Sequence, residues 1–259
     1  MGQVIAVVSQ KGGVGKTATT VNLGACLSAI QKRVLMIGLD PQCGLAKSFG
    51  MEASPDNPGL LDLMRDGVPP RDIIYRVHPR LPRLDVIPAN VGTTGEDHQF
   101  LSLLNTHLGI LAQLVERMKP VYDYIFLDSP SRVDSPTAAA LTIADSYLVP
   151  IQCEYASMGT VGSILRAALE VKRQSNSKLQ LFGCLLTMAD KRASFAIKVV
   201  KEIRMYLKGH VFRTIIPRDP RVAEVPFRQA PVVVFDIESP GAKAYIRLAR
   251  EILGGARTS

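Results

Sequence analysis

Residues Gln10-Lys11-Gly12-Gly13-Val14-Gly15-Lys16-Thr17 constrain this 259-residue chain more than any other stretch. They follow the apolar run Val4-Ile5-Ala6-Val7-Val8 and precede a helix-like segment from Thr17 to about Ile30. A strand that feeds a glycine-rich turn and then a helix is a layout for holding phosphate. The glycines let the backbone approach closely and turn successive N–H groups inward, and the helix N-terminus adds partial positive charge. In that layout Lys16 reaches the β- and γ-phosphates and the Thr17 hydroxyl ligates Mg²⁺. The strict pattern has glycine where this chain has Gln10, so the match is to a variant loop with a second lysine, Lys11, near its start. Taken alone, the stretch could be a glycine-rich turn with two solvated lysines. Asp40 and Asp128, each ending another apolar run, favour the phosphate reading.

Strand-like and helix-like segments alternate along the rest of the chain. Arg33 to Leu39 reads as a buried strand ending at Asp40-Pro41-Gln42, and Pro58 to Asp66 as a short helix. A loop with Gly67 and Pro69-Pro70 leads to a short strand from Leu84 to Pro88. Glu96 to Lys119 carries Leu101, Leu104, Leu108, Leu111 and Val115 at the spacing of one long helix. Tyr124 to Leu127 is a strand ending at Asp128. Helices are then expected over 137–144, 159–173, 193–207 and 241–253, with strands over 147–151, 181–187 and 211–216. Continuous apolar strands separated by helices predict an α/β fold, a mainly parallel twisted sheet with helices on both faces. The length suits one such domain over residues 1–259, and no repeat or low-complexity linker divides it. Ligands of such sheets bind beyond the carboxyl ends of the strands, where Gly12, Asp40, Asp128 and Thr187 all fall.

Lys11 to Thr17 resembles the deviant Walker A box of the ParA/MinD group of P-loop ATPases. The resemblance implies a Mg²⁺-dependent ATP hydrolase, weak until a partner stimulates it, with nucleotide contacts from Lys11, Gly12, Gly13, Val14, Gly15, Lys16, Thr17 and Ala18. It also implies that Lys11 crosses to the nucleotide of a second copy, so that ATP is sandwiched in a homodimer. Spacing by itself shows only a spare cation near the phosphates. Asp128 has the layout of a Walker B acid that holds Mg²⁺ directly or through water, together with Thr17; a turn cap is its other use. Ser129-Pro130-Ser131 resembles the second switch, usually Asp-Ala-Pro-Pro, with both serines as departures. Leu39-Asp40-Pro41-Gln42 is similar to the first switch of ParA proteins. There the resemblance gives Asp40 the positioning of the attacking water, whereas an Asp-Pro pair can also simply open a turn. The expected catalytic set is Lys11, Lys16 and Asp40, the more so because Gly38 stands where many relatives carry another aspartate. Leu186 to Asp190 and Ile216-Pro217-Arg218-Asp219 resemble the loops around the adenine. Pro217 and Asp219 are the implied base contacts, although relatives often have asparagine at the latter.

Formal net charge is +8, and its distribution matters more than its size. Residues 190–259 hold 14 basic and 7 acidic side chains, whereas residues 1–189 are nearly balanced at 17 and 16. Such asymmetry points to a polyanion, nucleic acid first and an anionic membrane second. Lys198, Lys201, Arg204 and Lys208 recur at helical spacing opposite Phe195, Val199, Ile203 and Leu207. Lys243, Arg247 and Arg250 do the same opposite Tyr245, Leu248, Ala249 and Ile252. Stripes of this kind also arise as plain solvated faces, but Arg192, Arg218 and Arg221 on neighbouring loops favour a phosphate-backbone surface. Arg192 and Arg218 fall where the ParA family places DNA-contacting arginines. The expected DNA-binding set is therefore Arg192, Lys198, Lys201, Arg218, Arg221, Lys243 and Arg247. No helix-turn-helix, zinc-finger or RNA-binding aromatic signature occurs, so contact with double-stranded DNA would be electrostatic and independent of sequence. Four scattered cysteines without CxxC spacing read as reduced packing thiols. With no apolar run of about 18 residues and no leader, the expectation is a cytoplasmic, nucleoid-associated protein without a membrane partner. The resemblance implies a ParA-like ATPase that segregates or positions a chromosome, plasmid or protein cargo and is stimulated by a ParB-like or adaptor protein. The alternative is a MinD-like regulator anchored to membrane by its last amphipathic helix.

Overall fold

The computed structural model describes residues 2–131, 135–154, 157–190 and 194–254, with backbone alone at 135, 157, 158, 160 and 194–197. Among these residues eight strands form one sheet: β1 Gln3–Val7, β2 Val34–Gly38, β3 Tyr75–Arg76, β4 Leu84–Ile87, β5 Tyr124–Asp128, β6 Ser146–Gln152, β7 Gln180–Ala189 and β8 Val211–Pro217. Their order is β3-β4-β2-β5-β1-β6-β7-β8. Seven strands run parallel, and the two-residue edge strand β3 is antiparallel to β4. The expected mainly parallel sheet is what forms. After β1 the chain moves out toward β4, and after β5 it moves the other way. The carboxyl end of β1 therefore lies at the reversal, flanked by the ends of β5 and β6.

Among the described residues, twelve α-helices accompany the sheet: α1 Lys16–Ala29, α2 Gly44–Lys47, α3 Leu60–Asp66, α4 Thr94–Thr106, α5 Leu108–Met118, α6 Ser135–Ile143, α7 Ser157–Gln174, α8 Ser194–Tyr206, α9 Pro220–Ala223, α10 Val225–Arg228, α11 Val232–Phe235 and α12 Pro240–Leu253. The strands are apolar on both sides, and alternation sorts their residues into two cores. Ile5, Val7, Met36 and Phe126 pack with α1 and α12 through Leu23, Leu27, Tyr245 and Leu248. Val4, Ala6, Leu35, Ile37, Ile125 and Leu127 pack with α3 to α8 on the opposite face. Close packing of α1 on β2 explains Gly24, where a Cβ would come within 2.9 Å of the Met36 sulfur.

The segment read as one helix over Glu96 to Lys119 is two. His107, at φ −118° and ψ 28°, ends α4 and starts α5. The break resets the helical phase, so that Phe100 and Leu104 face the core before it and Leu111, Leu114 and Val115 after it. Leu101 and Leu108, which an unbroken helix would bury with the others, are left half-buried. The short helices α2 and α9 to α11 and the edge strand β3 have no periodic signal and emerge only in the fold. All four cysteines are free and buried, and burial pushes the Cys26 and Cys184 thiols up to about 12. They are packing groups.

Candidate functional site

Because β1 is flanked by β5 and β6, whatever follows these three strands must meet at one edge of the sheet. After β1, the chain makes the turn containing Gly13 (φ 72°) and Gly15 (φ 92°), left-handed conformations that a side chain disfavours. Gly15 is the N-cap of α1 and offers no side chain to its first N–H groups, which leaves them for an anion. Lys16 is 6% exposed, and burial lowers its pKa against the raising fields of Asp128 and Asp40. Its Nζ donates to the Ser131 hydroxyl at 2.5 Å.

Asp128, at the end of β5, is completely buried. Thr17 Oγ1 donates to its Oδ2 at 2.8 Å and Thr20 Oγ1 to its Oδ1 at 3.2 Å. Burial, reinforced by the charge of Asp40, pushes its carboxyl up to about 7 despite these hydrogen bonds and the nearby Lys16. A buried carboxylate bracketed by two threonine hydroxyls is an all-oxygen donor set that suits a divalent cation, whose charge would favour the ionised carboxylate. Asp40 is half-buried, and its Oδ1 accepts the Gln42 N–H at 3.0 Å, so it does close a turn as Asp-Pro pairs do. The neighbouring Leu39 N–H donates to the Asp128 carbonyl at 2.9 Å, which sets Asp40 beside this cluster, where its charge raises the pKa of both Lys16 and Asp128.

Lys11 lies outside that cluster. Its Nζ pairs with Glu154 Oε2 at 2.6 Å, both side chains being partly exposed at 31% and 47%. Gln152 Nε2 holds the other oxygen of Glu154 at 2.6 Å. Sequence reasoning passed over Glu154 and noted Ser131 only as a departure. Glu154 follows β6 as Asp40 follows β2, so the rule of strand carboxyl ends would have found it.

Beside the loop, a mostly apolar cleft of about 350 Å³ is lined by Gly15, Ala18, Thr187, Met188, Ile216, Pro217, Asp219 and Tyr245. Thr187 Oγ1 donates to the Val14 carbonyl at 2.9 Å and so ties the loop to β7. Pro217 and Asp219 thus border the cleft next to Ala18, but the Asp219 carboxylate is already engaged. Its Oδ1 accepts the Arg221 N–H (3.0 Å) and its Oδ2 the Gly241 N–H (2.7 Å), which caps α9 and joins it to the start of α12. Besides lining the cleft, Asp219 is thus a clamp between two helix starts.

The basic residues divide. Lys198, Lys201, Arg218 and Arg247 are exposed and have no acidic partner among the described residues. Arg221 pairs with Glu224 at 3.1 Å and Asp236 at 3.2 Å, and Lys243 with Glu238 at 2.7 Å, which weakens their expected place in a cationic surface. Arg204 leaves the α8 stripe to reach the Phe212 and Arg213 carbonyls. Arg192 lies outside the described residues. The α8 and α12 stripes are on opposite faces of the sheet, flanking the edge strand β8, so they do not share one plane.

A family described as an AAA domain matches residues 2–181. The chain is 37% identical over 252 residues to the sporulation initiation inhibitor protein Soj of Bacillus subtilis, covering 97% of this chain and 98% of that protein. It is 34% identical to the chromosome partitioning protein ParA of Myxococcus xanthus, covering 98% and 88%. It is 36% identical to the chromosome-partitioning ATPase Soj of Thermus thermophilus, covering 96% and 94%. Among solved structures, the cobyrinic acid a,c-diamide synthase of Mycobacterium smegmatis with bound ADP and magnesium superposes with a TM-score of 0.81 at 26% identity, over 99% of this chain and 98% of that one.

Proposed function

The chain belongs to the Soj/ParA family of chromosome-partitioning ATPases, and from that premise we propose that it works as an ATP-gated dimer that holds DNA without regard to sequence. It hydrolyses ATP; the dimer, the DNA and the stimulating partner are our reading. The observation that carries this reading is the division of labour between two lysines. Lys16 is buried within the cluster of Asp128, Thr17 and Asp40, while Lys11 stands outside it on Glu154.

In this reading the N–H groups at the start of α1 cradle the phosphates and Lys16 exchanges Ser131 for the β- and γ-oxygens. Thr17 and Asp128 would hold Mg²⁺, which supplies charge neutralisation on the same oxygens. Asp40 has a carboxylate oxygen outside its turn hydrogen bond, and that oxygen orients the attacking water toward the γ-phosphorus. The P–O bond to ADP then breaks as the bond to water forms. Lys11, released from Glu154, reaches the nucleotide of the partner protomer. The γ-phosphate is thereby shared by two copies, so its loss loosens both. The base sits in the cleft by Pro217, against apolar side chains and main-chain groups. Exposed Lys198, Lys201, Arg218 and Arg247 flank the β8 edge, and two such edges in a dimer bind one polyanion more tightly than either alone.

The membrane-anchored reading loses support from α12. Its apolar face is spent inside the protein, with Tyr245, Leu248 and Ala249 at 2% exposure or less. Pulling Tyr245 and Leu248 out would forfeit about 1.5–3 kcal/mol each.

Sedimentation with Mg²⁺ and a non-hydrolysable ATP analogue, compared with Mg²⁺ and ADP, tests the proposal. Dimers are expected only with the analogue, and duplex of random sequence should shift only under that condition. Equal sedimentation and equal DNA binding in both nucleotides would refute it. Flotation with anionic liposomes is expected to leave the protein at the bottom of the gradient.

A further inference from the structure

Away from the nucleotide edge, the longest helix leaves part of its apolar stripe uncovered. On α7, Leu165, Ala168, Leu169 and Lys172 recur at intervals of three and four and so share one face. A stripe of that spacing normally meets the core. Ala168 does, at 2% exposure, yet Leu169 is 48% exposed. Between this face and the start of β7 runs a groove of about 400 Å³ whose lining includes Leu165, Leu169 and the buried Leu179. Lys172, His210 and Tyr147 are its charged or titratable lining residues, and no carboxylate of the described residues lines it. Exposed Lys178 and Lys208, on the turns after α7 and α8, add positive charge at the same end of the molecule.

We propose that this groove docks an amphipathic helix of a partner protein, one with an apolar stripe flanked by acidic residues. The apolar floor and half-exposed leucines suit helix-in-groove recognition, in which anchors at i, i+3, i+4 and i+7 of the ligand fill the groove. The cationic rim selects for acid on the ligand and against base. A basic segment is therefore not the occupant. The site lies at the amino-terminal end of β7, whereas the phosphate loop and Glu154 follow the carboxyl ends of their strands. At about 3.3 Å per residue the separation is on the order of 20 Å, so docking leaves the nucleotide and the second protomer accessible. This inference does not depend on the reading of the ATP dimer.

The test uses the full chain and two labelled synthetic helices, each with leucines at i, i+3, i+4 and i+7, one flanked by glutamates and the other by lysines. Fluorescence anisotropy is expected to show the acidic peptide binding at least about tenfold tighter than the basic one. Leu169→Asp and Lys172→Glu should each weaken the acidic peptide about tenfold or more, with ATP turnover and DNA binding unchanged. Hydrogen exchange should slow over residues 165–172 on binding. No binding of the acidic peptide, equal binding of both peptides, or full binding by Leu169→Asp would overturn the proposal. So would a change in nucleotide-free sedimentation on Leu169→Asp, which would assign the face to a second copy of this chain. Loss of binding to phosphatidylglycerol vesicles in that variant would assign it to lipid and overturn the proposal equally.

Discussion

At the residue scale, the informative contrast is between two lysines five positions apart. Lys16 is buried and desolvated, so removing it leaves the Asp128 and Asp40 charges without their cation as well as the phosphates without a ligand. Lys16→Ala is expected to abolish nucleotide binding or turnover, measured by fluorescent-nucleotide titration and phosphate release. Asp40→Ala should still bind ATP but turn over about 100-fold more slowly or worse, because its role is to orient water rather than to hold phosphate. Undiminished hydrolysis would remove that assignment. Lys11 is different, because its pair with Glu154 is partly exposed and worth at most about 1 kcal/mol. Glu154→Gln should therefore lower the ATP concentration needed for dimerisation by up to about fivefold, and Lys11→Ala should abolish the dimer while sparing monomer binding. If Glu154→Gln left the dimerisation midpoint unchanged, the pair would be a surface ornament.

At the scale of elements, Asp219 shows how one carboxylate can decide the geometry of a cleft. It joins α9 to the N-terminus of α12, and a Cβ at Gly241 would collide with it at 2.8 Å. Replacing one capping side chain costs about 1 kcal/mol, and two N–H groups are served here, so Asp219→Ala is expected to lose about 1–2 kcal/mol in urea unfolding. Asp219→Asn should recover part of that loss, because the amide oxygen still accepts one hydrogen bond. A variant that weakens nucleotide binding with no loss of stability would assign Asp219 a direct role at the base. The division of the 94–118 segment at His107 has a similar lesson. Spacing of apolar residues was correct within each half, but the phase between them was set by the sheet they cover.

For the whole molecule, the question is how cations on opposite faces of one sheet can serve one duplex. They flank β8, so the edge of the sheet, not a face, is what DNA would meet. If a dimer engages roughly 6 phosphates, the slope of log affinity on log salt is about −5. Arg218→Glu and Arg247→Glu should each make the slope shallower, as read by gel shift across a salt series, and Arg247→Glu, which lies away from the cleft that Arg218 lines, should leave nucleotide binding intact. Charge reversal at Arg221 should do less, since Glu224 and Asp236 already neutralise it. Affinity unchanged at every salt concentration in both of the first two variants would remove the surface.

By itself the sequence determined the class of fold, the phosphate loop and the two carboxylates at the ends of β2 and β5. These are local properties: a motif contiguous in the chain, apolar runs of strand length, and the residue that follows each. Only the tertiary structure decided which groups face one another across long separations. Lys11 meets Glu154 and Lys16 meets Ser131 because β1 is inserted between β6 and β5, and strand order is not written in any one segment. The same holds for Asp219, whose two partners lie 2 and 22 residues away, and for the basic stripes, whose relation was set by α8 and α12 packing on opposite faces. Patterns along a chain specify what each element buries, and the exposed groups acquire neighbours only when the buried faces have chosen theirs.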